Sequence, residues 1–153
     1  FNKNGHLINQ GNIKDGERDG SWEHFHDNGQ LKQRVNWKDG KVEDGLCETF
    51  HENGHLHSKV YFKDGEQDED LPYESYHENG NLRIKSTDDG VEEYDHQTQH
   101  LIRKEVIDRK KNTRISMVYY PHNGQLERKT YSYKDNEYQE WFYKNGNPKY
   151  RWY

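Results

Sequence analysis

One short phrase returns along the chain at nearly constant spacing. It is clearest at Phe50-His-Glu-Asn53-Gly54-His-Leu56, where an aromatic residue precedes an Asn-Gly pair and a leucine follows it. The phrase recurs as Phe25-His-Asp-Asn28-Gly29-Gln-Leu31, Tyr76-His-Glu-Asn79-Gly80-Asn-Leu82 and Tyr120-Pro-His-Asn123-Gly124-Gln-Leu126. Weaker copies run from Phe1 to Leu7 and from Phe142 to Pro148, and in all six the aromatic stands four residues before the glycine. A fixed repeat of this length dictates architecture before any other signal is weighed.

A second mark alternates with the first. Asp15-Gly16, Asp39-Gly40, Asp64-Gly65 and Asp89-Gly90 follow the Asn-Gly glycines by 10 or 11 residues. Asn-Gly and Asp-Gly both tolerate the positive φ angles of tight hairpin turns. Each repeat therefore reads strand, Asn-Gly turn, strand, Asp-Gly turn. The turn glycines are Gly5, Gly16, Gly29, Gly40, Gly54, Gly65, Gly80, Gly90, Gly124 and Gly146.

Between turns the period is two. Leu31, Val35 and Trp37 share a parity, as do Leu56, Val60 and Phe62, which predicts one buried and one wet face. Trp22 and Phe25, like Tyr73 and Tyr76, are three apart, which predicts a bulge or kink in that strand. Between Gly90 and Gly124 no Asn-Gly occurs. Glu93 to Leu101 reads there as a degenerate copy, with Asp108 to Asn112 in place of the Asp-Gly turn.

The expected architecture is all-β, with about seven stacked antiparallel hairpins forming one elongated, twisted, curved sheet. One domain spans 1–153, in units of approximately 1–20, 21–45, 46–70, 71–90, 91–112, 113–136 and 137–153, the first and last incomplete. Fourteen strands at ~4.8 Å spacing would extend about 65 Å. A lone hairpin is unstable in water, whereas a row burying aromatic on aromatic can stand. The column Phe1, Phe25, Phe50, Tyr76, Tyr120 and Phe142 is the expected core. The terminal strands should present unpaired backbone groups to missing flanks or a partner.

Composition narrows the function classes. Only 28% of the chain is hydrophobic, 14% is aromatic and 33% is charged. Such a balance usually marks disorder, but disordered chains are poor in aromatics and have no fixed-phase pattern. The net charge of −5 argues against binding nucleic acid through phosphate neutralisation. A single cysteine, Cys47, leaves no disulfide framework or cysteine-based zinc site. That fits a cytoplasmic location, export after removal of a leader being the alternative. No apolar run reaches the ~20 residues of a membrane span. The chain opens inside a repeat and its one methionine is Met117, which suggests a piece of a longer protein.

Motifs for chemistry are few. His51-Glu52-Asn-Gly-His55 spells the zinc-protease signature, whose two histidines must share one helix face. A hairpin turn inside the span destroys that geometry. His26, His51, His77 and His96 occupy one repeat position, and His6, His55 and His100 another. They read either as a pH-sensitive or metal-binding ladder or as polar rings covering the flank of each turn; no acid or cysteine has ligand spacing beside them. No nucleophile elbow or phosphate-cradling loop is present, so no catalytic residue, metal or cofactor is assigned.

The aromatic, Asn-Gly, leucine phrase with alternating Asp-Gly turns resembles the MORN-repeat-variant family over essentially the whole chain. Departures are the degenerate fifth unit, the stretch from Glu66 to Leu71 without its second glycine, and Pro148 in the place of leucine. The resemblance implies a stacked-hairpin fold. Bacterial members are commonly labelled antitoxins, and MORN proteins more widely are described as adaptors in membrane-associated assemblies or as regions beside catalytic domains.

A non-enzymatic protein-binding scaffold, antitoxin-like or of the immunity kind, is the function expected. Its candidate partner-binding residues are Trp37, Tyr61, Phe62, Tyr119, Tyr131, Trp141, Tyr143 and Trp152, because Trp and Tyr anchor interfaces. The alternatives are a lipid-associated adaptor, which net negative charge disfavours, and a structural region of a larger protein. A small-molecule substrate is not expected.

Overall fold

The computed structural model describes residues 1–133 and 136–152, the last three of these by their backbone. Every regular element among them is a β-strand, and every strand pair within each of two compact units, 1–81 and 82–153, is antiparallel.

The first unit holds β1 (Asn9–Lys14), β2 (Glu17–Phe25), β3 (Leu31–Lys38), β4 (Lys41–Val42), β5 (Gly45–Phe50), β6 (Leu56–Lys63), β7 (Glu66–Gln67) and β8 (Glu74–Tyr76). The path is β1-β2-β3-β5-β6-β8, with β4 and β7 paired on β3 and β6. β4 and β5 are two halves of one returning arm. Trp37 opposes Val42 and Arg34 opposes Glu48, so the arm advances six residues while β3 advances three. β7 and β8 repeat this against β6 with seven residues for three.

Two kinds of turn join the strands. Lys14 and Glu17 oppose each other around Asp15 (φ 51) and Gly16 (φ 87), the mirror-image two-residue turn. The Asn-Gly turns differ from the tight dipeptide expected. His26 N–H donates to Gln30 O at 2.8 Å and Gly29 N–H to His26 O at 2.9 Å. The loop thus has three residues, and only Gly29 (φ 85) is left-handed. Asn28 stays right of that region because its carboxamide oxygen accepts the Gln30 N–H at 2.9 Å.

Bulges stand beside the aromatics, as the three-residue spacing predicted, but their extra residue lies on the strand after the turn. Phe25 opposes Leu31 while His24 opposes Gln33, leaving Lys32 over; Phe50 and Leu56 repeat the shift. The count of two restarts there. Leu31 joins the face of Phe25, and Val35 and Trp37 join that of Trp22, which corrects the single parity drawn through all three. The buried residues accordingly are Trp22, Val35 and Cys47, with Trp37, Val42, Val60 and Phe62 packed on them. Phe1 is also corrected: it precedes β1 and is 84% exposed, outside any core.

The second unit is a plain meander of β9 (Leu82–Thr87), β10 (Gly90–Tyr94), β11 (Leu101–Asp108), β12 (Thr113–Tyr119), β13 (Leu126–Tyr133), β14 (Asn136–Phe142) and β15 (Pro148–Trp152). The degenerate copy is a turn: Asp95 N–H donates to His100 O at 2.9 Å, and Gln99 takes the left-handed place (φ 57) that glycine holds elsewhere. Asn112 (φ 51) does the same in the loop that replaces Asp-Gly.

Two placements shift by one residue. Thr87 opposes Gly90, so the loop is Asp88-Asp89 and Gly90 opens β10. A Cβ there would lie 1.8 Å from the Glu105 carbonyl oxygen, so glycine serves the close approach of β11. Tyr119, not Tyr120, opposes Leu126 and takes the position of Phe25 and Phe50, because this turn has four loop residues.

Candidate functional site

The turn edge accounts for the histidines. His26 and His51 direct Nε2 to the carbonyls of Phe50 (2.8 Å) and Tyr76 (2.9 Å), one repeat further on. His55 and His100 direct Nδ1 to Glu78 O (2.7 Å) and Pro121 O (2.9 Å). The turn asparagines act alike: Asn28 donates to Glu52 O (2.7 Å), Asn53 to Glu78 O (2.6 Å) and Asn123 to Lys144 O (2.9 Å). Tyr120 stands where His26 does and donates to Phe142 O at 3.3 Å. His51 and His55 of the protease-like string thus spend ring nitrogens on neighbouring carbonyls. Among the described residues no three His, Cys, Asp or Glu gather with metal-binding geometry.

A charged row crosses each unit on one sheet face. In the first it runs Glu23, Arg34, Glu48, Lys59, Glu74, each residue opposite the next. Arg34 reaches Glu23 at 3.2 Å and Glu48 at 3.4 Å, and Lys59 reaches Glu74 at 3.9 Å. In the second it runs Lys85, Glu92, Lys104, Met117, Lys129, Glu140. Lys104 Nζ lies 2.7 Å from Glu92; that bond holds the Glu92 carboxyl below and the Lys104 ammonium above their ordinary values.

Two residues beyond each of these acids comes the aromatic of the repeat phrase. Tyr76 donates to Glu74 at 2.6 Å and Tyr94 to Glu92 at 2.7 Å. Partial burial, then the carboxylate, pushes both phenols up to about 12. This Glu-x-aromatic signal occurs at Glu23, Glu48, Glu74, Glu92 and Glu140. It could have been read from the sequence beside the turn phrase, and was missed.

The candidate aromatics divide among three surfaces. Trp37 and Phe62 lie against the core of the first unit. The Arg18 guanidinium sits 4.4 Å over Trp22 and 4.7 Å over Trp37, whose buried indole N–H meets no acceptor among the described residues. Tyr61, 38% exposed and opposite Leu46, shares the charged face. Tyr119 and Tyr131 share the charged face of the second unit, Tyr131 opposite Ile115. Trp141 occupies the other face, under the Arg128 guanidinium at 5.1 Å. Tyr143 belongs to the turn edge and is 51% exposed. The side chain of Trp152 lies outside the described residues. All ten glycines expected in turns have positive φ, Gly90 among them although it opens β10, as do Gly20 and Gly45, which the turn phrases did not mark.

Residues 18–39, 43–64 and 69–87 match the family model of the MORN repeat variant, each stretch holding one strand, one Asn-Gly turn and the strand after it. Residues 18–87 carry three MORN-variant repeats. No curated protein matches it significantly. MORN repeats form scaffolds that engage proteins or membranes, and the family is generally non-enzymatic.

Proposed function

We propose that this MORN-variant chain is a non-enzymatic protein-binding scaffold of the antitoxin or immunity kind. The observation that carries this reading is the display of half-exposed tyrosines beside the charged rows, with Trp141 under Arg128 on the other face of the second unit. Aromatic anchors rimmed by mixed charge are the usual composition of a protein interface. The hydrogen-bonding capacity of the turn edge is used inside the fold, which leaves the two faces as the binding surfaces.

Pull-down from the source cell, followed by rebuilding the complex from purified components, tests the proposal. A stoichiometric complex is the expected result. Recovery of no protein partner, together with sedimentation on anionic vesicles at low salt, would replace it with a membrane adaptor.

A further inference from the structure

Net charge is divided unevenly along the chain. Residues 1–81 carry 9 Lys and Arg against 17 Asp and Glu, and residues 82–153 carry 14 against 11, so the −5 separates into −8 and +3. The second unit therefore favours acidic partners that the total charge conceals. Within it the charged row shows where. Signs alternate strictly through the row of the first unit, and from Lys85 to Lys104 in the second. The next place is Met117, flanked by Lys104 and Lys129 on the adjoining strands.

The repeat marks that place as one made for a carboxylate. The residue two before the bulge aromatic is glutamate at 23, 48, 74, 92 and 140 and methionine only at 117. Tyr76 and Tyr94 give their hydroxyl protons to the glutamate two residues back, whereas Tyr119 finds only the Met117 thioether, 3.5 Å away. Lys129 lies 4.7 Å over the Tyr131 ring and makes no ion pair among those observed. One phenol and two lysines thus flank a position with no anion of its own, Lys104 keeping its bond to Glu92 and Lys129 lying opposite Glu140 on the strand beyond. Beside it, on the same face, run Val106, Ile115 and Tyr131, opposite one another in turn and only half-buried.

We propose that Lys104, Tyr119 and Lys129 form a receptor for a carboxylate side chain of a protein partner, whose neighbouring apolar residue rests on Ile115 and Tyr131. The site rests on the protein-binding reading and gives it a partner chemistry: an acidic segment with an adjacent apolar anchor. Charge-assisted bonds from two ammonium groups and a phenol discriminate a carboxylate from its amide.

The test uses the full chain, the capped peptide Leu-Glu-Tyr-Glu-Leu and its Gln twin, and the variants Met117→Glu, Met117→Gln and Lys129→Gln. Met117→Glu supplies the carboxylate internally and should raise Tm by about 3 °C, with Met117→Gln unchanged. The native chain should prefer the Glu peptide at least tenfold, and that preference should fade with salt and vanish in Met117→Glu and Lys129→Gln. No rise in Tm for Met117→Glu, or equal binding of the two peptides, overturns the site. Binding that Met117→Glu abolishes on phosphatidylserine vesicles but not on peptide overturns it in favour of a lipid headgroup. A pull-down that recovers a partner equally well with Met117→Glu removes this site and leaves the scaffold standing.

Discussion

Residues 1–81 bury Trp22, Val35 and Cys47 on the sheet face opposite their charged row. Residues 82–153 bury only Gly90 among those described, and their apolar side chains Val106, Ile115 and Tyr131 lie on the same face as the charged row. The turns explain part of the difference. The returning arms after Asp39-Gly40 and Asp64-Gly65 carry extra residues, while Val42 opposes Trp37 and Cys47 opposes Val60 in regular register, which gathers these side chains on the face of Trp22. The second unit lacks those insertions and relies on cross-strand pairs. The other face of the second unit carries half-buried Ile84, Val91, Val118 and Trp141, so one hairpin plan packs one face in the first unit and divides its apolar side chains between two in the second.

The largest expected effect tests the buried side of this contrast. Trp22→Ala should cost about 3 kcal/mol, while Tyr131→Ala should cost about 1 kcal/mol. Urea unfolding with residue-resolved amide exchange would show the first confined to residues 1–81. Equal costs would erase the distinction. Next is Gly90→Ala, which drives a Cβ into the Glu105 carbonyl at a φ of 148 and should cost about 2 kcal/mol, seen as faster exchange in β10 and β11. Asn53→Ala removes one bond between turns and should cost about 1 kcal/mol by denaturation.

Smaller effects separate the units by pH. Burial, then the charges of Arg18 and Lys32, hold the His24 imidazole below its usual 6.5. The folded state therefore binds that proton less tightly than the unfolded chain, and the first unit loses stability as pH falls below 6.5. Glu92 in the second unit is held below 4.5, so its contribution is present above 4.5 and fades as pH falls through its lower folded value. Lys104 is held above 10.5, so its share persists to that pH and fades beyond it. Between pH 6.5 and 4.5 the first unit should loosen before the second, followed by exchange of β2 and β10 amides. Glu92→Gln should flatten the acid limb by less than about 1 kcal/mol, as both partners are part-exposed.

Turn positions and strand class were legible in the sequence because glycine and asparagine mark backbone conformations directly. The degenerate fifth turn was legible too, since Gln99 keeps its place in the count. Facing was not legible. The bulge residue Lys32 is an ordinary lysine, and nothing in its chemistry announces that the alternation restarts there. Counting back four from the glycine points to Tyr120 rather than Tyr119 because it assumes a three-residue loop, and Pro121 belongs to a loop of four. The charged row escaped because opposite residues on neighbouring strands are far apart in sequence.

The turn-edge bonds of His26, Asn28, His51, Asn53, His55, His100, Tyr120 and Asn123 run one way, from a side chain in one turn to a backbone carbonyl at the turn that follows. A carbonyl accepts whatever the identity of its own side chain. Each repeat therefore brings its own donors and asks nothing particular of the sequence it reaches, as His26, His51 and Tyr120 illustrate. A gene encoding such a chain can gain or lose a repeat by unequal crossing-over and keep every junction intact. Length becomes a heritable variable that selection can adjust separately from the residues on either face.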